Sequence, residues 1–331
     1  MTMNLASLAE DALERHGERR SMWFEGEWTT NVQTLDRARR LQRGFRDLGI
    51  GKGSIAALCM ANHPLIYPVF QGLFRTGGAA VPVMHQLQAP DLRYVLADTR
   101  ARIVVTDAEN LDKTRRAVAG LEHVEAVVGR GIEADPAATP RELRLEELLE
   151  GEPETSLPAI DQGDLALLLY TSGTTGRPKG AMLSHANLIA SATAAAKAGE
   201  VDRQEEPRVS ISAMPMAHIF GVGVMNSGYL QPARLADGYM VQLVWFDPER
   251  FMQEIQAHRC ALMPAVPTML ALILNHPKVD DYDLSSLEEV VCGAAPLPVE
   301  LARTFMERFD CRVREIYGMT EGTGIASANR P

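Results

Sequence analysis

The sequence predicts an α/β protein of stacked, mostly parallel sheets covered by helices. Strand-length and helix-length segments alternate along most of the chain, which is the pattern of crossover-connected parallel strands. Glycines punctuate the joins and end helices, as at Gly49, Gly51, Gly77 and Gly78. An apolar run of strand length, from Leu165 to Tyr170, stops abruptly at a loop of glycines and hydroxyls.

The elements follow in order. Leu5, Leu8, Ala9 and Leu13 mark a first helix over 5–16. Residues 22–28 read as a hairpin turning at Glu25 and Gly26. Leu35, Ala38, Leu41, Phe45 and Leu48 recur at helical spacing. Strands are expected at 54–60, 79–83, 101–106 and 124–128, with helices at 64–75, 91–98 and 111–119. Residues 129–163 carry Gly, Pro and acidic side chains around one short helix at 141–149. They suggest a division into a first α/β subregion (1–150), a linker (151–163) and a second α/β subregion (164–331). In the second part the apolar run is followed by a loop, a short strand after Lys179, and a helix over 186–199 with Ser184 as its N-cap. Further strands are expected at 209–213, 238–244, 261–263, 289–292 and 312–317. Helices are expected at 219–230, 248–257, 268–274 and 298–309. The chain then ends just after a polar loop, with no closing element in the pattern and no internal repeat.

Composition narrows the function. An apolar fraction of 46% in 331 residues supports a substantial core. The net charge of -10 argues against non-specific nucleic-acid binding and against an anionic membrane surface. No apolar run approaches a membrane span, and the first residues lack the basic flank and apolar core of a signal peptide. Cys59, Cys260, Cys292 and Cys311 are scattered without metal-ligand spacing, so reduced, mostly buried thiols in a cytoplasmic protein are expected.

The loop after Tyr170 holds Gly173, Gly176 and Gly180, the hydroxyls of Thr171, Ser172, Thr174 and Thr175, and the cations Arg177 and Lys179. Glycine lets successive N–H groups point into one concavity, and hydroxyls and cations add donors and charge, a combination suited to a polyphosphate. It is not a Walker A loop: the sixth residue from Gly173 is Pro178 and from Gly176 is Ala181. A phosphate cradle between two strands and a solvated Gly/Thr turn fit the composition about equally.

Three later clusters follow expected strands, where ligands of open parallel sheets sit. They are Met214 to Gly221 with His218, Gly293 to Leu297, and Tyr317 to Gly324 with Thr320 and Glu321. Small residues at 293–295 would admit a flat base, Tyr317 could stack on it, Thr320 could reach a phosphate, and Glu321 could ligate Mg²⁺. Each has a plainer reading alone: a rim histidine, a strand-to-helix turn, a common Tyr-Gly pair, a solvated carboxylate. Their recurrence in this order after the Thr/Gly loop favours the functional reading.

With these residues in view, the sequence resembles the adenylate-forming, AMP-binding superfamily of acyl-CoA synthetases, luciferases and peptide-synthetase adenylation domains. Thr171 to Gly180 resembles its phosphate loop. Met214 to Gly221, Gly293 to Leu297, and Tyr317 to Glu321 resemble its histidine, adenine and Tyr-Gly-x-Thr-Glu motifs. Asn62 to Leu65 and Gly77 to Pro82 resemble its first sheet. The resemblance covers essentially the whole chain and implies its large N-terminal domain.

It implies that Thr171, Ser172, Gly173, Thr174, Thr175, Gly176 and Lys179 bind the β- and γ-phosphates, with Thr171 near the metal. Thr320 would contact the α-phosphate and Glu321 would hold Mg²⁺. Gly293, Ala294, Ala295, Pro296, Glu315, Ile316, Tyr317, Gly318 and Met319 would surround the nucleotide. His218 would border the acyl pocket, while His185 is given no catalytic role. ATP, Mg²⁺ and CoA are the implied cofactors and co-substrates, a carboxylic acid the substrate, and a homodimer stays open. The family's later ribose-binding aspartate and its small C-terminal lid with a lysine lie beyond Pro331. A truncated chain that binds ATP weakly and makes no acyl-CoA at a useful rate is therefore expected.

Small and apolar residues (Ile219 to Met225, Gly293 to Ala295) around the implied acyl pocket favour a fatty or other apolar acid. Val266 to Thr268 are expected at that pocket, and Trp245 and Phe246 either border it or belong to the core. Asp237 is the nearest acid, as readily a turn residue as a partner for an α-ammonium. The leading reading is an ATP-dependent acyl-CoA ligase. Transfer to a carrier-protein thiol, a non-catalytic nucleotide-binding module, and a generic α/β domain are the alternatives.

Overall fold

The computed structural model describes residues 3–171, 176–200, 208–230 and 238–329. Strands and helices are numbered in chain order. One sheet has seven strands in the order β7 (Arg141–Arg144), β6 (Ala126–Arg130), β5 (Ile103–Asp107), β3 (Ile55–Cys59), β4 (Ala79–Pro82), β8 (Leu165–Thr171), β9 (Lys179–Ser184). All its pairs are parallel except β8 with β9. The other has eight, in the order β15 (Gly324–Ala328), β14 (Arg312–Met319), β13 (Glu289–Cys292), β12 (Leu262–Ala265), β10 (Ser210–Ser212), β11 (Met240–Gln242), β1 (Arg20–Phe24), β2 (Glu27–Thr30). Only its two end pairs, β14–β15 and β1–β2, are antiparallel.

The period of two in the first sheet decides which helices cover which face. Ala56 and Leu58, Ile103 and Val105, and Ala126 and Val128 face a cluster built with α2 (Asn31–Asp47), α3 (Ile66–Thr76) and α8 (Ile219–Tyr229). Their neighbours Ala57, Cys59, Val104 and Val127 face α4 (Ala89–Thr99) and α5 (Leu111–Val118). A capping box opens α2: Thr30 Oγ1 accepts from Gln33 N at 3.1 Å, and Gln33 Oε1 accepts from Thr30 N at 2.9 Å. The second sheet buries Phe251 and Ile255 of α9 (Pro248–His258), Ile273 of α10 (Pro267–Leu274) and Phe305 of α11 (Val299–Phe309). Among the described residues the remaining α-helices are α1 (Leu8–His16), α6 (Leu145–Glu150) and α7 (His185–Glu200).

Three sequence expectations are corrected. Residues 141–149 are not one helix: Arg141–Arg144 form β7 at the sheet edge and the helix begins at Leu145. The extended stretch was hidden because Glu142 is buried as an ion-pair partner of Arg115 at 2.7 Å, so no apolar alternation marks it. The chain does have a closing element, β15, whose Gly, Ala and Ser residues carry little strand signal.

The division at 151–163 also fails as a structural boundary. Strands β8 and β9 complete the first sheet, while the early hairpin β1–β2 joins the second through β11. Residues 151–163 are docked rather than free. Gln42 Nε2 donates to Ser156 O at 2.7 Å, and Glu154 N donates to Arg39 O at 3.0 Å. The fully buried Arg75 guanidinium bonds Glu154 O and Gln42 Oε1 and pairs with Glu10 at 3.0 Å, which satisfies a cation that would otherwise be costly to bury.

The four cysteines are free and buried. Burial pushes the thiols of Cys59 and Cys292 up to about 11 and those of Cys260 and Cys311 up to about 12. Among the described residues no helix is long and apolar enough to cross a membrane.

Candidate nucleotide and acid site

The hairpin β8–β9 and the carboxyl edge of the second sheet meet at one place. In the hairpin register Thr171 faces Lys179 across the two stems, and the Lys179 side chain is exposed. Opposite, a 3-10 turn over Thr320–Gly322 joins β14 to β15 and closes with Thr323 N donating to Thr320 O at 2.9 Å. Thr171 Oγ1 donates to Glu321 Oε1 at 3.2 Å, across 150 residues of sequence and from one sheet to the other. Ser172, Gly173, Thr174 and Thr175 lie outside the described residues. Gly176 has φ 146°, which an L side chain rarely adopts.

Helix α4 grips both stems. Tyr94 Oη donates to Pro178 O at 3.0 Å, and the Arg177 guanidinium lies 5.5 Å above the Tyr94 ring. One turn on, Asp98 accepts from the hydroxyl of Tyr170, whose pKa is raised by burial and then by that carboxylate. The sequence reading assigned no role to Tyr94 or Asp98, because helix spacing shows which residues share a face but not which strand they touch.

The wall beside this turn is built by β13 and β14. Gly293 is buried, and a Cβ there would stand 2.6 Å from Ile316 Cγ1, so a side chain would push the strand ends apart. Ala294 has φ 69°, and Ala294, Ala295 and Pro296 are exposed. Glu315 Oε1 accepts from Leu297 N at 3.4 Å, and Glu315 N donates to Asn329 Oδ1 at 2.8 Å. Strand β14 runs two residues past the expected end at Tyr317 and takes in Gly318 and Met319. The Tyr317 ring is 62% exposed and open to a stacking partner.

The histidine segment is clamped from the other sheet. Asn62, buried after β3, donates from Nδ2 to Met214 O at 3.0 Å and accepts at Oδ1 from Met216 N at 3.1 Å. Ser212 Oγ accepts from Met214 N at 3.1 Å. His218 then caps α8, its Nδ1 accepting from Phe220 N at 3.2 Å, which leaves Nε2 to carry the proton of the neutral ring. The ring opens onto a cavity, and the surrounding walls desolvate it enough to hold its pKa below the ordinary value. Asn62 thus helps build the site, whereas its sequence context shows only a likeness to the family's first sheet. A lone Asn at a strand end was the available signal.

That cavity has a volume of about 620 Å³ and lies against one face of the second sheet. His218, Ala294 and Gly318 border one end, and Arg208, Glu289 and Arg314 border the other. Val266 and Thr268 are not among its walls; Leu262, Met263 and Pro264 of the preceding strand are. Trp245 is 62% exposed and borders a separate cavity, and Phe246 packs on Phe251 at 5.2 Å. Asp237 lies outside the described residues. The pocket is therefore less uniformly apolar than its sequence neighbourhood suggested, since its charged end comes from strand starts distant from the motifs.

Paired α/β sheets, with a Thr/Gly hairpin facing a Tyr-Gly-x-Thr-Glu turn, define an AMP-binding enzyme, and the chain belongs to that family: the AMP-binding enzyme model matches residues 9–331. Among its relatives, a feruloyl-CoA synthase of Amycolatopsis sp is 32% identical over 88% of this chain and 54% of its own length. A long-chain-fatty-acid–CoA ligase of Bacillus subtilis (strain 168) is 27% identical over 98% of this chain and 61% of its own length. The crystal structure of an anthranilate CoA ligase with anthranoyl-AMP superposes with a TM-score of 0.89 at 22% identity, covering 99% of this chain and 62% of that one. That last likeness concerns the fold. The chain spans about half the length of the curated relatives it matches.

Proposed function

We propose that the whole protein joins a carboxylic acid to ATP as an acyl-adenylate and passes the acyl group to the thiol of CoA, releasing pyrophosphate and AMP. The observation that carries this reading is the contact between Thr171 and Glu321, which brings the stem of the phosphate loop to the Tyr-Gly-x-Thr-Glu turn. Relatives named as CoA ligases and synthases support it.

A carboxylic acid is already ionised near pH 7, so attack on the α-phosphorus needs no general base. The work is to bring two anions together and to neutralise charge. Lys179 and the loop around Gly176 are proposed to hold the β- and γ-phosphates, and Thr320 the α-phosphate. Gly293 to Pro296, with Glu315, Ile316, Tyr317, Gly318 and Met319, would enclose the adenine. His218, neutral at physiological pH, would border the acid and its adenylate.

Magnesium fits the donor set: the Thr171 hydroxyl and the Glu321 carboxylate are hard oxygens 3.2 Å apart. Among the described residues no group of three His, Cys, Asp or Glu converges on a point, so phosphate oxygens and water would complete the shell. When bound, the ion would neutralise phosphate charge.

The acid is proposed to be apolar, fatty or aryl, because small and apolar residues of α8 line the cavity beside His218. The cytoplasm is the proposed location, since free, buried thiols suit a reducing compartment. Acid-dependent ATP–pyrophosphate exchange by the full-length protein, across aliphatic and aryl acids, tests the reading. Exchange with at least one such acid is expected, and none with any acid would overturn it.

A further inference from the structure

The turn that carries Thr320 and Glu321 ends on a strained residue. Thr323 has φ 64° and ψ 25°, the left-handed region, where a β-branched side chain crowds its own backbone. Glycine would fit that position without the cost, and glycines stand on both sides at 322 and 324, yet threonine occupies it. Thr323 is only 8% exposed, and it lines the cavity beside His218. Its hydroxyl makes no hydrogen bond to any described residue, nor is it sealed away from that cavity. Two contacts fix where it stands. Its amide closes the turn by donating to Thr320 O at 2.9 Å. The next residue, Gly324, packs on the start of α8, where a Cβ would stand 3.4 Å from Ile219 Cγ1, next to His218 in the chain. Thr323 therefore lies between Thr320, the proposed α-phosphate contact, and His218, which borders the acid.

We infer that the Thr323 hydroxyl donates a hydrogen bond to one carboxylate oxygen of the acid and so turns the other towards the α-phosphorus. This deepens the reading of the cavity as the acid pocket and rests on it. The hydroxyl has one proton to give and an ionised carboxylate can only accept, so the two are matched. The free oxygen attacks phosphorus, and the P–O bond to pyrophosphate breaks and leaves its electron pair on the pyrophosphate. Thr323 keeps its proton throughout. The oxygen it holds loses charge as the carboxylate becomes the carbonyl of the mixed anhydride, so the bond is strongest to the free acid. Losing it should therefore raise the KM for the acid more than it changes kcat.

The test is ATP–pyrophosphate exchange together with direct acid binding by the full-length protein, with dodecanoate as the aliphatic probe and cinnamate as the aryl one. Thr323→Val keeps the shape and the strain and removes the hydroxyl. It should raise both the KM and the Kd for the acid by about tenfold to a hundredfold and leave the KM for ATP unchanged. Thr323→Ser returns the hydroxyl and should recover most of that affinity. Thr323→Gly should weaken acid binding as the valine variant does without lowering the melting temperature, because glycine suits a left-handed backbone. An unchanged acid KM in Thr323→Val overturns the role of Thr323, and wild-type exchange then keeps the ligase reading. The same holds if both KM values rise together and the melting temperature falls, since that marks a structural residue. Acid binding that weakens in Thr323→Val, with no exchange for any acid, overturns the ligase reading and leaves Thr323 in place. Binding of neither probe by the wild type overturns the role of Thr323.

Discussion

Thr171 Oγ1 donates to Glu321 Oε1 across 3.2 Å, tying the end of a strand in one sheet to a turn at the edge of the other. If this pair holds the metal, charge matters more than the hydrogen bond. Glu321→Gln keeps an acceptor and loses the charge. It and Glu321→Ala should each lower ATP–pyrophosphate exchange by about a hundredfold or more. Thr171→Ser should retain most activity, and Thr171→Val should lose about tenfold. Full exchange in Glu321→Gln would reduce the contact to a structural one.

The grip of α4 on the loop stems predicts a selective effect on nucleotide binding. Tyr94→Phe removes one hydrogen bond to Pro178 O, worth about 1 kcal/mol, and keeps the ring beneath Arg177. The expected result is a KM for ATP raised severalfold with the KM for the acid unchanged. Backbone amides near Gly176 should exchange faster with deuterium. Equal changes in both KM values would indicate general loosening instead.

Asn62 anchors the histidine segment by two contacts, with the backbone of Met214 and Met216, and reaches Leu243 O beside it. Asn62→Ala leaves buried backbone groups without partners and should cost about 2–4 kcal/mol, read as a lower urea midpoint with an unchanged m-value. It should also weaken acid binding, since His218 follows that segment. A loss below about 0.5 kcal/mol would mean that water replaces the side chain.

Acid should destabilise the fold through His185. The ring is fully buried, its Nδ1 accepts from Leu5 N at 3.2 Å, and burial lowers its pKa to about 4. Below about pH 6.5 the unfolded chain takes up a proton that the folded chain refuses, so stability falls as pH drops towards 4 and levels off beneath it. The loss from this residue is on the order of 3 kcal/mol. His185→Gln, which can still accept from Leu5, should flatten that part of the curve of melting temperature against pH. An unchanged slope would assign the acid sensitivity elsewhere.

Local order was legible in the sequence and sheet membership was not. The hairpin at Glu25–Gly26 and the helices of the first sheet follow from periodicity and turn chemistry close in sequence. The phosphate-loop stems and the Tyr-Gly-x-Thr-Glu turn were legible as motifs because they are contiguous strings. Asn62, Tyr94 and Asp98 were not legible as parts of the site, since each acts on a partner at least 70 residues away. The charged end of the cavity was missed because its two charges lie on separate strands that only the sheet brings together. Glu289 and Arg314 sit where a buried strand would ordinarily be apolar, and their pairing at 2.8 Å offsets the cost of burying them.

The exchange of strands between the two sheets bears on how the chain is made. The hairpin Arg20–Thr30 leaves the ribosome early, but its neighbour Met240–Gln242 emerges roughly 200 residues later, on the order of ten to forty seconds at ordinary rates of synthesis. Through that interval the β1 edge of the nascent hairpin lacks its later neighbour, and the aromatic face of Trp23 and Trp28 lacks its later partners Tyr239 and His258. Its protection during translation, by a chaperone or by the growing chain itself, thus bears on the assembly of a pocket that Ser21 and Met22 share with Tyr239 and Met240.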